Sequence, residues 1–357
     1  MTRCATPETP FLALDLEAFE RNVAHLADVI VRQGGKHWRP HIKAIRSPVL
    51  AKALITAGAS GVTCSTICQA ETMVMAGILD VLIANQIVGH DQLQRLAALN
   101  RTARVIASVD APVHIQLLAS AAAEAGVVVP VVIEVDVGLR RSGVSSTGAA
   151  LDLAQTVVSN KYLDFCGVMA WEGQTTRISE PQAKADAIRD AVGLLIGAAQ
   201  DCRAVGIAVE IVSCGGTGTY PVSSMIEGVT EIQAGGGVFG DVRYRTEFRM
   251  PLEPALKLCA TIISRPTTRR IVCDAGWKYH GCHPTLSQVL GLAGVQNMAY
   301  AAEHLTLECE SDITDFAVGE RIEMAVGYAD STVFLHREIV AMRNGEIEEV
   351  LALPPPS

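Results

Sequence analysis

Lys43 closes the run Arg39-Pro40-His41-Ile42-Lys43, a lone amine just past a short hydrophobic stretch that reads as a strand over 36–42. Pro40 pushes Arg39 into an extended conformation, which puts Lys43 at or just beyond the strand's C-terminal end. In a (β/α)8 barrel that end faces the active site. An amine placed there can form a Schiff base once burial or neighbouring charge lowers its pKa. An ordinary exposed lysine satisfies the same local pattern. His41, two residues earlier, points the same way along a strand. It is a candidate proton carrier or cofactor-side hydrogen-bond partner, and a packed structural histidine fits the spacing equally.

Two glycine-rich turns come later. Ser213-Cys214-Gly215-Gly216-Thr217-Gly218-Thr219-Tyr220 follows a predicted strand. Its glycines let backbone N–H groups approach an anion, and its threonines add hydroxyl donors. No Gly-Lys-Ser/Thr follows, and the string does not match GxGxxG, so neither nucleotide fingerprint applies. A tight strand-to-loop turn is the plainer alternative. Gln233-Ala234-Gly235-Gly236-Gly237 ends the next strand. Loops after the last two strands of a barrel frequently build a phosphate site. A lysine at one strand end and two anion-cradling turns call for a ligand with a phosphate at one end and an electrophilic carbon at the other. Pyridoxal 5′-phosphate meets both requirements. Gly138-Leu139-Arg140-Arg141-Ser142-Gly143-Val144 lies past another strand, where an arginine can stabilise a phenolate or carboxylate, or simply be solvated.

The elements that must position these residues alternate between short β-rich runs and amphipathic stretches. Strands are predicted at 11–15, 36–42, 61–65, 81–84, 104–109, 128–135, 165–170, 209–213 and 231–234, with helices between them. Repeated βα units imply a parallel sheet, and this many over about 240 residues fit a closed (β/α)8 TIM-type barrel spanning 11–245. Past about 245 the runs become short and strand-like, and Asn344-Gly345 is a hairpin signal. A second, mostly β domain is therefore expected over 246–357, with the segment 1–10 a candidate to join it.

The chain has 357 residues, 49% of them hydrophobic and 19% charged, enough for a barrel plus a smaller domain. A net charge of −9, no Lys/Arg run longer than two and only 4% aromatics argue against nucleic acid or an anionic membrane as partner. Ten scattered cysteines without a CxxC pair suit free thiols in a reducing compartment. With no apolar leader and no long apolar run, a cytoplasmic location is expected.

Taken in order, several segments resemble the D-threonine aldolase and D-serine dehydratase family of fold-type III pyridoxal enzymes, which are related to the alanine racemase barrel. These are Arg39 to Lys43 with Ser47-Pro48, Gly61-Val62-Thr63-Cys64, Ala70-Glu71, Leu82-Ile83-Ala84-Asn85, and residues 138–144, 167–173, 215–220 and 233–235. Asp274-Ala275-Gly276, Glu303-His304 and Val318-Gly319-Glu320 extend the match into the second domain. The resemblance implies that Lys43 carries the cofactor, that Arg141 lies near its phenolic oxygen and that Trp171 lies near its ring. It implies that Thr217, Gly218, Thr219, Tyr220, Gly235 and Gly236 hold the phosphate, with Gln233 close by. It also implies a homodimer.

One segment departs from the pattern. Relatives that cleave or dehydrate β-hydroxy amino acids bind a divalent metal (magnesium, manganese or zinc) through a His-containing motif where this chain reads Val326-Gly327-Tyr328-Ala329-Asp330. Asp330 is retained, but a neutral phenol is a far weaker ligand than imidazole. His280, His283, Glu303 and His304 are candidate replacements, against the alternative of surface histidines. Ile45-Arg46 also stands where many relatives have His-Lys.

The activity implied is a pyridoxal-phosphate lyase, an aldolase cleaving a D-3-hydroxy-α-amino acid to glycine or another amino acid and an aldehyde, with Tyr328 in contact with the β-hydroxyl. Racemisation or epimerisation at Cα and dehydration to a keto acid are the alternative enzymatic readings. A non-catalytic pyridoxal-phosphate carrier is the non-enzymatic one.

Overall fold

A computed structural model describes residues 7–281 and 283–354. The chain divides into two compact units, one of Ala24–Gly235 and one joining the residues up to Val23 to those from Gly236 onward.

The first unit is a ring of eight parallel strands: His37–Trp38, Val62–Cys64, Asp80–Gln86, Arg104–Val109, Val129–Glu134, Leu163–Met169, Ile211–Cys214 and Glu231–Ile232. From Val62–Cys64 onward each pairs with the next in sequence. The last pairs with the first through His37 opposite Glu231, and a bridge from His41 to Thr63 closes the ring. All six residues of Val129–Glu134 are buried, as expected of a parallel strand covered on both faces. Leu82, Ile106, Val132, Cys166, Met169 and Ile211 form one core cluster. Each such side chain contributes about 1.5–3 kcal/mol by leaving water.

Helices return the chain between strands. Pro48–Thr56 starts as its sequence dictates, with the Ser47 hydroxyl accepting from the Leu50 amide and proline in the first turn. Of the predicted strand 36–42, only His37–Trp38 keeps a regular ladder, because Pro40 has no N–H to contribute. Lys43 consequently sits on a turn just beyond the His41 bridge.

Among the described residues the second unit holds nine strands. Seven run in the order Val295–Tyr300, Leu305–Cys309, Arg270–Cys273, Leu256–Thr267, Phe11–Asp15, Glu338–Arg343 and Glu346–Ala352. Arg321–Ala325 pairs with Leu256–Thr267 and Gln288–Val289. The predicted hairpin is present, with Asn344 and Gly345 at φ 50° and 76°, the left-handed pair that a two-residue turn requires. Phe11–Asp15, expected to open the barrel, instead pairs antiparallel with Leu256–Thr267 and parallel with Glu338–Arg343. The barrel already has eight other strands, and an apolar run does not announce which sheet it joins. Residues 236–245 likewise belong to the β unit. Among the described residues no helix is long and apolar enough to cross a membrane.

Candidate active site

In the barrel unit, Lys43 and His41 are half-buried neighbours, with the Lys43 amide 3.4 Å from His41 Nδ1. Burial drives the His41 imidazole well below its ordinary pKa, and the nearby charges of Lys43 and Arg141 push the same way. The ring is therefore neutral at physiological pH, able to accept a proton rather than to store one. Arg141 is steadied by Glu134, a buried carboxylate at the end of its strand: Arg141 Nη2 lies 3.4 Å from Glu134 Oε1. The same oxygen accepts from Ser142 Oγ at 2.9 Å, and Oε2 accepts from Gln86 Nε2 at 2.5 Å.

The two glycine turns meet these residues through backbone. A Cβ on Gly235 would lie 2.2 Å from the His41 carbonyl oxygen, so only glycine lets the turn pack against the strand that leads to Lys43. The His41 amide donates to the Gln233 carbonyl at 2.9 Å, and Gln233 Nε2 donates to Ser213 Oγ at 2.9 Å. A Cβ on Gly216 would lie 2.4 Å from Trp171 Cη2 and 2.5 Å from Cζ3, which puts the outer edge of the indole against the first turn. Lys43, His41, Arg141, Trp171, Gly216, Gln233 and Gly235 are thereby linked within one unit.

Thr219 and Tyr220 are differently employed from what their motif suggested. Thr219 Oγ1 donates to Glu172 at 2.7 Å and accepts from the Gly216 amide at 3.0 Å. Both backbone amides, Thr219 and Tyr220, donate to the Gly216 carbonyl. Tyr220 is fully buried, with its hydroxyl 2.9 Å from His25 Nε2. These groups shape the turn, leaving the Gly218 and Gly235 amides, both buried, without a hydrogen-bond partner among the described residues. An amine, a guanidinium, an indole ring and unclaimed buried amides fit a phosphorylated aldehyde such as pyridoxal phosphate.

Glu172, Glu134 and Glu231 were not predicted from sequence. Glu172 lies inside the recognised 167–173 segment, but nothing in residue type says that a carboxylate will be buried under a loop.

In the β unit, Gly236 begins the turn Gly236–Phe239, and a Cβ there would lie 3.1 Å from Tyr244 Oη and 3.7 Å from Asp330 Oδ1. Tyr328 donates its hydroxyl proton to Asp330 Oδ2 at 2.7 Å, and Arg243 stacks over the Tyr328 ring at 4.8 Å. Burial and the Asp330 charge push the Tyr328 phenol up, so it keeps its proton. Asp241 accepts from the Tyr244 and Ala329 amides at 2.9 Å, yet burial pushes its carboxyl up to about 8.

This donor set does not fit a divalent cation. It offers a protonated phenol, a carboxylate already bound to it and a guanidinium overhead, and no group of three His, Cys, Asp or Glu among the described residues could hold a metal. His280 is buried with Nδ1 3.0 Å from Ser287 Oγ, Glu303 pairs with Lys278, and His283 and His304 are exposed.

The alanine racemase N-terminal domain family matches residues 14–243, and a serine dehydratase domain family matches 255–342. The D-threonine aldolase of Arthrobacter sp is 32% identical, over 97% of this chain and 92% of that protein. The 3-hydroxy-D-aspartate aldolase of Paracoccus denitrificans is 30% identical, over 96% and 90%. The crystal structure of D-threonine aldolase from Filomicrobium marinum superposes with a TM-score of 0.92 at 30% identity, covering 97% of this chain and 95% of that one. By the span of these matches and the barrel that carries Lys43, the chain belongs to the alanine racemase N-terminal domain family, in the branch that couples this barrel to a serine dehydratase β domain.

Proposed function

We propose that this protein is a pyridoxal-phosphate-dependent lyase that cleaves a D-3-hydroxy-α-amino acid between Cα and Cβ, giving an aldehyde and glycine or another amino acid. The observation that carries the reading is the near full-length match to aldolases in a barrel whose Lys43, His41 and Arg141 gather at one mouth. When bound, pyridoxal phosphate supplies the electron sink that makes Cα–Cβ cleavage accessible.

The residues divide the remaining work. Lys43 would hold the cofactor's aldehyde carbon, and the neutral His41 beside it can take up a proton released as the amine exchanges. Arg141, steadied by Glu134, supplies fixed positive charge for a phenolate oxygen. Trp171 shields one side from water, and the Gly218 and Gly235 amides take the phosphate. Cleavage requires that the β-hydroxyl lose a proton and that Cα regain one. The resemblance supports assigning the first step to Tyr328 with Asp330: the phenol oxygen would accept the β-hydroxyl proton as the phenol's own proton passes along its hydrogen bond to the carboxylate. The free thiols among the described cysteines support a cytoplasmic setting, and a homodimer completes the proposal.

The test is a panel of D- and L-3-hydroxy amino acids assayed for aldehyde, for keto acid with ammonia, and for deuterium uptake at Cα. Aldehyde formation from a D-substrate, abolished together with the bound-cofactor absorbance band in Lys43→Ala, is expected. Keto acid without aldehyde would replace the aldolase reading by dehydration, and Cα exchange without cleavage would replace it by racemisation.

A further inference from the structure

Glu172 is sealed from solvent at 0% exposure, and the groups it binds come from the first glycine turn and the short helix after it. Its Oε1 accepts from Thr219 Oγ1 and from Ser223 Oγ, each at 2.7 Å, and its Oε2 accepts from the Gly215 amide at 3.2 Å. No cationic side chain forms an ion pair with it among the described residues. A buried polar side chain is tolerated when hydrogen bonds satisfy its oxygens, and here three donors do.

The three donors come from the start of the turn, its end and the helix Tyr220–Ser223, so one side chain ties the segment at three points. Trp171, the preceding residue, presses its ring on Gly216 from the same strand end. The carboxylate thus takes up the Gly215 amide and the Thr219 hydroxyl and leaves the Gly218 amide unclaimed.

We propose that Glu172 is a positioning residue for phosphate recognition: it consumes the donors at the rim of the turn and fixes the conformation in which the Gly218 amide is presented to the cofactor's phosphate. This rests on the proposed pyridoxal-phosphate function. It gives a buried anion an unexpected task, since its charge opposes a phosphate while its hydrogen bonds build the phosphate's seat.

The experiment compares ligands that differ only in the phosphate. Apoprotein of the full chain, wild type and Glu172→Gln, is titrated with pyridoxal 5′-phosphate and with pyridoxal, following the absorbance band formed with Lys43. Glutamine keeps the volume but one acceptor oxygen, so charge-assisted bonds are lost. Phosphate-ester affinity is expected to fall about 10–100-fold while pyridoxal affinity stays within about twofold. Ser223→Ala, which removes one donor and leaves the carboxylate, is expected to show a smaller loss with the same selectivity, and serves as the test should Glu172→Gln fold poorly. Equal weakening of both ligands, or no weakening of either, would overturn the proposal. Wild-type protein that forms no band with either ligand would instead overturn the cofactor assignment.

Discussion

Arg39 offers the sharpest energetic prediction in the barrel. Its guanidinium is buried, with Nε 2.7 Å from Glu231 Oε2 and Nη1 2.7 Å from Asp80 Oδ1. Burial works against its charge, but the two carboxylates more than offset this and hold it firmly protonated. The partners are unequal. The Glu231 side chain is 4% exposed, whereas Asp80 is 32% exposed and also meets Arg104 at 3.5 Å. Arg39→Met therefore leaves Asp80 with water and another cation, worth about 1 kcal/mol or less, but strands Glu231 in the core. Losing one partner of a buried pair costs about 3–5 kcal/mol. Adding Glu231→Leu removes the stranded charge and should return most of that. What remains is about 1 kcal/mol for Ser213, whose hydroxyl donates to Glu231 at 2.8 Å. In a double-mutant cycle by urea unfolding, followed by tryptophan fluorescence, adding Glu231→Leu should return about 2–4 kcal/mol of the Arg39→Met loss, so the coupling should be at least about that large. Additive costs, or an Arg39→Met penalty below about 1 kcal/mol, would refute the reasoning.

Three more outcomes are expected. His41, His280 and His336 are all depressed by burial, His280 down to about 3. The unfolded chain protonates each near its ordinary value of about 6.5 while the fold resists. Stability should therefore fall as pH drops below that value, by up to about 1.4 kcal/mol per pH unit for each histidine. Urea midpoints at pH 7 and 5 should show it, and His280→Asn should flatten the slope; a midpoint indifferent to acid would contradict it. Dialysis against EDTA should leave turnover unchanged, because the Tyr328–Asp330 pair is a poor ligand set; loss of activity restored by manganese would reverse that. Gly216→Ala, whose methyl would lie 2.4 Å from the Trp171 ring, should shift tryptophan emission and weaken cofactor affinity at least about tenfold; unchanged binding would show that the indole moves freely.

The parts of this molecule that were legible in sequence are those governed by local rules. Serine then proline started the helix Pro48–Thr56, Asn344-Gly345 closed a hairpin, and alternating apolar runs gave all eight barrel strands. Phe11–Asp15 was legible as a strand but not as a member of the second sheet, because its partners Cys259 and Val340 come much later in the chain. At the site, residue types singled out Lys43 and the glycines, and the barrel brings the strand end before Lys43 against Gly235. The competition for hydrogen bonds was hidden. Thr219 looks like a phosphate donor until Glu172, a distant residue in sequence, is seen to accept its hydrogen bond. Tyr244 and Asp241 gave no motif at all, since their roles arise from burial beside Asp330.

The strand Phe11–Asp15 has a consequence for how the molecule is made. It is translated before every barrel strand, yet both of its neighbours in the sheet, Leu256–Thr267 and Glu338–Arg343, are translated only after the whole barrel. The barrel can therefore mature during synthesis, while the early strand waits with its ladder unsatisfied until Glu338–Arg343 has been made. Cutting it away would leave those two strands with a gap between them, so a fragment beginning at 246 would lack the middle of its own sheet.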